Sequence, residues 1–160
     1  MTIRLLLLDG DQTLWDHPDL SSLILPLRRK SPLTLVDAIG TQVSLQSDAK
    51  ETLQGLKKLG VITALVTWNR PEQVFAVLQL FGISDLLDYV KAENTPHKDV
   101  VIADLMKELK SKGRSIPASK TLYVDDKTRH LEKTRERVGP IGFLQFGVDI
   151  KQLSELLHLV

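Results

Sequence analysis

Short runs of unbroken apolar residues alternate along this chain with longer stretches of helical periodicity. Leu5-Leu6-Leu7-Leu8 is apolar at every position, which predicts a strand buried on both faces. It runs straight into Asp9-Gly10-Asp11-Gln12-Thr13. Leu14-Trp15-Asp16-His17-Pro18 reads as a loop carrying an aromatic, and Leu20 to Leu27 has no clean period, with Pro26 arguing against a long helix. Leu33–Asp37 and Thr41–Leu45 predict two short strands around Ala38-Ile39-Gly40, a hairpin insertion over about 31–46.

From Asp48 the pattern turns helical. Asp48 and Glu51 read as a capping pair, Ala49, Leu53 and Leu56 as one apolar face, and Gly60 as the stop. Val61–Val66 predicts a second buried strand ending at Thr67-Trp68-Asn69. Asn69, Pro71 and Glu72 then open a helix with Val74, Val77, Leu78 and Phe81 inward, stopped by Gly82. A short strand is expected around Tyr89-Val90-Lys91, and Thr95-Pro96 opens a helix with Ile102, Leu105 and Leu109 inward. Thr121–Val124 predicts a strand running into Asp125-Asp126. A charged helix over about Thr128–Arg137, a strand Ile141–Phe146 and a helix Ile150–Leu159 complete the chain. Strands that alternate with helices imply an α/β fold, three-layered and Rossmann-like, with a mostly parallel sheet between helices.

At 160 residues the chain reads as one domain, 1–160. With 42% hydrophobic and 26% charged residues it has the composition of a soluble globular protein. A net charge of +1 gives no general attraction to nucleic acid or to a membrane surface. The absence of cysteine excludes disulfides, thiolate catalysis and cysteine zinc sites, and the four histidines show no zinc spacing. No signal-peptide pattern and no membrane-spanning stretch is seen, so a cytoplasmic location is expected. The oligomeric state is not legible.

In parallel α/β folds, ligands sit beyond the carboxyl ends of the strands. That rule gathers Asp9 and Asp11, Thr67 and Asn69, Lys98 at the start of the third helix, and Asp125-Asp126 at one edge. Closely spaced carboxylates repel, and a cation or an anchored proton must offset that. Asp9 is therefore a candidate nucleophile and Asp11 a candidate proton donor. Acids with a hydroxyl and a lysine suit a phosphate held by Mg2+, which prefers hard oxygen ligands. It neutralises them so that an anionic nucleophile can approach an anionic substrate. Taken singly, each residue has a plainer reading. Thr67 would be a strand-end hydroxyl bonded to backbone, Lys98 a solvated helix residue, and Asp125-Asp126 a helix cap. Trp15 and Trp68 suit a substrate mouth or buried packing, and Arg28-Arg29-Lys30 a solvated loop.

In order and context, Asp9-Gly10-Asp11-Gln12-Thr13, Thr67, Lys98 and Asp125-Asp126 resemble the four motifs of the haloacid dehalogenase (HAD) superfamily phosphatases. Leu14-Trp15 after the first motif and the small hairpin look most like the small magnesium-dependent members with no large cap. The resemblance covers essentially the whole chain. It implies a phosphomonoester hydrolase in which Asp9 attacks phosphorus and forms an aspartyl-phosphate. Asp11 would protonate the leaving oxygen and then activate water. Asp9, the backbone carbonyl of Asp11 and Asp126 would hold Mg2+, with Asp125 behind, although spacing leaves the order of the two acids open. Thr67, Trp68, Asn69 and Lys98 would bind phosphate and substrate, a phosphorylated small molecule or a phosphopeptide or protein. Gly10 and His130 depart from the pattern, standing where a bulky apolar residue and an Asn are expected. The alternative is a non-catalytic, receiver-like signalling domain, whose phosphorylated Asp would instead end the third strand. A phosphotransfer mutase would need a cap that this chain lacks.

Overall fold

The computed structural model describes residues 2–160. Strand β1 (Leu5–Leu8) is followed by β2 (Trp15–Asp16), β3 (Arg28–Ser31), β4 (Thr34–Val36) and β5 (Gln42–Leu45). Helix α1 (Ala49–Lys58) then leads to β6 (Ile62–Trp68), α2 (Pro71–Phe81) and β7 (Tyr89–Glu93). The chain continues through α3 (Lys98–Ser111), β8 (Thr121–Asp125), α4 (Leu131–Val138) and β9 (Gly142–Gln145).

The central sheet has the order β7-β6-β1-β8-β9, and every pairing in it is parallel. Residues of β1 alternate between its faces. Leu6 and Leu8 pack on one side with Leu53 and Leu56 of α1 and Val74, Val77 and Phe81 of α2. Leu5 and Leu7 pack on the other with Val101, Ile102, Leu105 and Leu109 of α3. Helices on both faces explain why the leucine run has no polar alternation: each side chain meets a hydrophobic layer. The register also delivers the site. Leu8 is level with Leu65 and Val124, and the next amide, Asp9 N, donates to Val124 O at 2.9 Å. Asp9 thus stands beside Asp125, with Thr67 slightly further along β6.

The hairpin of β4 and β5 belongs to a larger unit than the 31–46 insertion. A second, antiparallel sheet has the order β2-β5-β4-β3, so Trp15–Asp16 and Arg28–Ser31 both contribute strands. Asp37 ties it together, its carboxylate accepting from the amides of Ile24, Ile39 and Thr41 at 2.9, 3.1 and 2.8 Å. Arg28, Arg29 and Lys30 are not loop but the exposed edge strand, where charged side chains protect unpaired backbone.

Several local expectations are corrected. Asp48 makes no side-chain cap on α1; its carboxylate instead accepts from Ser154 N at 2.8 Å, a tertiary tie to the C-terminal segment. Asn69 does not cap α2, whose N-cap position is Arg70, without a side-chain cap bond. Helix α3 begins at Lys98 rather than Thr95-Pro96, because Thr95 Oγ1 accepts from His97 N at 3.2 Å and holds a turn before the helix. The final helix is a 3-10 segment, Leu153–His158. Its buried leucines, Leu153 and Leu156, are three apart, matching three residues per turn. No helix among the described residues is long and apolar enough to cross a membrane.

Candidate active site

A cavity of about 340 Å3 opens at the carboxyl ends of β1, β6 and β8. Asp9, Asp11, Thr67, Lys98, Asp125 and Asp126 all line it. Lys98 is the first residue of α3 and is 5% exposed. Its ammonium pairs with Asp9 Oδ1, and with Asp125 Oδ2 at 3.1 Å. Three carboxylates, those of Asp9, Asp125 and Asp126, offer oxygen atoms that all lie within 4.8 Å of one another.

One lysine cannot balance three carboxylates. Burial, together with the charge of Asp125, raises the Asp9 carboxyl well above its ordinary value, with Lys98 opposing. Burial also raises Asp126. Asp125 moves the other way. Burial alone would raise it, but Lys98, the Tyr123 hydroxyl and Lys127 N hold it below the ordinary value. Lys98 is held above its ordinary value because its two acids outweigh burial. A divalent cation fits this surplus: the donors are hard oxygens, and added positive charge would favour the ionised form of each acid.

The two acids of the last motif are therefore not equivalent. Asp125 Oδ2 receives Lys98 and Tyr123 OH, and Oδ1 receives Lys127 N at 3.0 Å. No lysine, arginine or backbone amide among the described residues donates to the Asp126 carboxylate. Thr13 links the first and last motifs: its hydroxyl donates to Asp9 Oδ2 and accepts from Asp126 N, both at 3.2 Å.

Asp11 faces a different set of groups. Its Oδ1 accepts from the Trp15 indole Nε1, and its Oδ2 from Asn69 Nδ2, both at 2.9 Å. Burial raises its carboxyl above the ordinary range despite these two bonds. Asn69 was expected to touch substrate, but it is fully buried, and its amide is committed to Asp11, Thr67 and Ser21. Trp68 is 40% exposed and lines the mouth. The Arg129 guanidinium lies 5.8 Å over its ring. Trp15, by contrast, is fully buried.

Gly10 is required by space rather than by flexibility. A Cβ built there would lie 2.5 Å from Trp15 Cζ2, closer than such atoms approach, and 3.2 Å from Thr67 Oγ1, a tight contact. The indole fills the volume that a bulky residue 10 would need. His130 lines the cavity, and burial and the charge of Lys98 lower its imidazole to about 4.

Tyr123 and Ser21 were not legible as site residues. Tyr123 precedes Asp125 by two in a strand, so alternation puts both on one face. That signal was present but its use was not. Ser21 lies in a short 3-10 turn and carries no sequence signal.

Residues 9–137 match the family model for haloacid dehalogenase-like hydrolases. No curated protein matches the sequence. Solved structures share the fold at low identity. A predicted phosphoglycolate phosphatase from Haemophilus somnus 129pt has a TM-score of 0.64 at 18% identity, covering 98% of this chain and 97% of that one. A 3-deoxy-D-manno-octulosonate 8-phosphate phosphatase from Moraxella catarrhalis, in complex with magnesium, phosphate and KDO, has a TM-score of 0.56 at 20% identity, covering 98% and 84%. A dehalogenase has a TM-score of 0.61 at 18% identity over 74% of this chain, which spans only 57% of that protein.

Proposed function

We propose that this chain, which belongs to the haloacid dehalogenase-like hydrolases, is a magnesium-dependent phosphomonoester hydrolase acting through an aspartyl-phosphate on Asp9. One observation carries the reading. Lys98 bridges Asp9 and Asp125 in the same cavity that presents Asp11 and Thr67. A nucleophile, a proton donor, a phosphoryl ligand and a charge anchor then surround one small volume.

Asp9, the Asp11 carbonyl and Asp126 would hold Mg2+, with Asp125 behind them orienting Lys98. When bound, the cation offsets the charge of the acids and of the phosphate. Asp9 is held by Lys98 and Thr13. Its carboxylate oxygen forms a bond to phosphorus as the ester P–O bond breaks. The leaving oxygen takes the proton of Asp11, whose raised carboxyl suits that role. Thr67 accepts from Asn69 Nδ2 at 2.9 Å, so its own proton is free for a phosphoryl oxygen. Lys98 stabilises the charge that develops on the transferring group. In the second step the Asp11 carboxylate takes a proton from water. The resulting hydroxide adds to phosphorus, the bond to Asp9 breaks, and phosphate leaves.

The phosphatase neighbours favour small phosphorylated substrates. The absence of a large cap leaves the mouth, with Trp68 and Arg129 on its rim, accessible to phosphopeptides as well. The test is phosphate release from 4-nitrophenyl phosphate with and without Mg2+. Release should vanish with chelator and with Asp9→Asn. Halide release from haloacids in place of phosphate release would reassign the chain to dehalogenation. Stable labelling by acetyl phosphate without turnover would support the receiver-like alternative.

A further inference from the structure

Every polar position of the fully buried Asn69 amide has a partner. Oδ1 accepts from Ser21 N at 2.9 Å and from Ser21 Oγ at 2.8 Å. Nδ2 donates to Asp11 Oδ2 and to Thr67 Oγ1, both at 2.9 Å. A backbone N–H can only donate, so the Ser21 amide fixes which end of Asn69 is oxygen. Ser21 Oγ is itself fixed, since it accepts from Arg70 N at 2.8 Å. On the opposite side of Asp11, the Trp15 indole N–H meets Oδ1 at 2.9 Å. The ring reaches that position only because residue 10 has no Cβ, which would lie 2.5 Å from Cζ2. Neither Trp15 nor Asn69 lines the cavity.

We propose that Trp15 and Asn69 are positioning residues for Asp11, each holding one carboxyl oxygen, and that glycine at residue 10 is the steric condition for this clamp. The inference rests on the phosphatase reading, in which Asp11 transfers the proton. A carboxyl oxygen has two lone pairs, so one can accept the N–H while the other carries the proton given to the leaving oxygen. Both bonds favour the ionised form, and burial outweighs them, so the carboxyl stays above its ordinary range. The clamp removes rotamer freedom, so that the proton is presented toward the cavity rather than sampled there. Asn69 couples the same geometry to Thr67, linking proton transfer to phosphate alignment.

Two measurements test this. The first is kcat/KM of Trp15→Phe, which keeps a ring and removes the N–H, with phenyl phosphate and with 4-nitrophenyl phosphate. A poor leaving group depends on the acid and a good one does not. Trp15→Phe should lose about tenfold with phenyl phosphate and stay within about twofold with 4-nitrophenyl phosphate. Equal losses on both overturn the proposal. The second measurement is independent of turnover and of whether Trp15→Phe folds. The chain has two tryptophans, so it has two indole N–H signals in NMR, and Trp68→Phe assigns them. Asp11→Asn should move the Trp15 signal upfield and leave that of Trp68 in place. An unmoved Trp15 signal overturns the clamp. An inert wild type with a responsive indole overturns the phosphatase reading and the proton-transfer role together, while the contact stands.

Discussion

Asn69 Nδ2 donates to Thr67 Oγ1 at 2.9 Å, and no group among the described residues accepts the Thr67 proton in return. The hydroxyl is thus left as a donor toward the cavity. Thr67→Val keeps the shape and removes that donor, so kcat/KM should fall about 10- to 100-fold, the worth of one hydrogen bond to a charged group. Thr67→Ser should retain most of the activity. Steady-state kinetics on both variants checks this, with circular dichroism to confirm the fold.

Among the described residues, Lys98 is the one cation in contact with both Asp9 and Asp125. Lys98→Met leaves those buried acids facing each other. Loss of one partner from a buried pair costs about 3–5 kcal/mol, so Tm without metal should drop by roughly 6–20 °C. Added Mg2+ should recover more of that loss than it adds to the wild type, because it replaces missing positive charge. Activity should fall at least about 100-fold even with metal. Thermal unfolding with and without Mg2+, alongside a phosphate-release assay, reads both effects.

The last-motif acids should respond differently to amidation. Binding at 100 times Kd stabilises by about 2.7 kcal/mol, so saturating Mg2+ should raise the wild-type Tm by roughly 5–11 °C. Asp126→Asn should abolish most of that rise and leave the metal-free Tm at or above that of the wild type, since it relieves repulsion. Asp125→Asn should lower the metal-free Tm, because Lys98, Tyr123 and Lys127 N lose a charged acceptor. A reversed pattern would make Asp125 the direct ligand.

His130 should titrate near 4 rather than 6.5 in the metal-free protein, driven by burial first and the Lys98 charge second. The lowered value means that the folded state resists protonation. His130 therefore contributes stability above about 6.5 that is lost as pH falls through about 4. The stability of the wild type relative to His130→Asn should be flat above pH 6.5 and decline below it. Denaturant titrations across that range measure the difference, and NMR of the imidazole gives the midpoint.

The sequence by itself determined the frame. An unbroken leucine run requires hydrophobic layers on both sides, and alternation of strands and helices requires parallel crossovers. Together these bring Asp9, Thr67, Lys98 and Asp125 to one sheet edge, because the carboxyl ends of parallel strands share a side. Local chemistry also marked most element boundaries, as at Gly82, which ends α2 in the left-handed conformation.

What the tertiary structure decided was partnership. Asp48 and Asn69 carry ordinary helix-capping signals, yet each side chain bonds to a residue distant in sequence. A cap contributes about 1 kcal/mol, and a buried polar group that satisfies other buried groups outweighs it. Gly10 stands where the motif leads one to expect a bulky apolar residue, and it is the gap into which the Trp15 ring fits. That requirement exists only once a side chain five residues later has folded back onto it. The inequality of Asp125 and Asp126 arises in the same way. Two adjacent identical residues differ because Tyr123, Lys98 and Lys127 surround one carboxylate and leave the other to face Asp9 and the cavity.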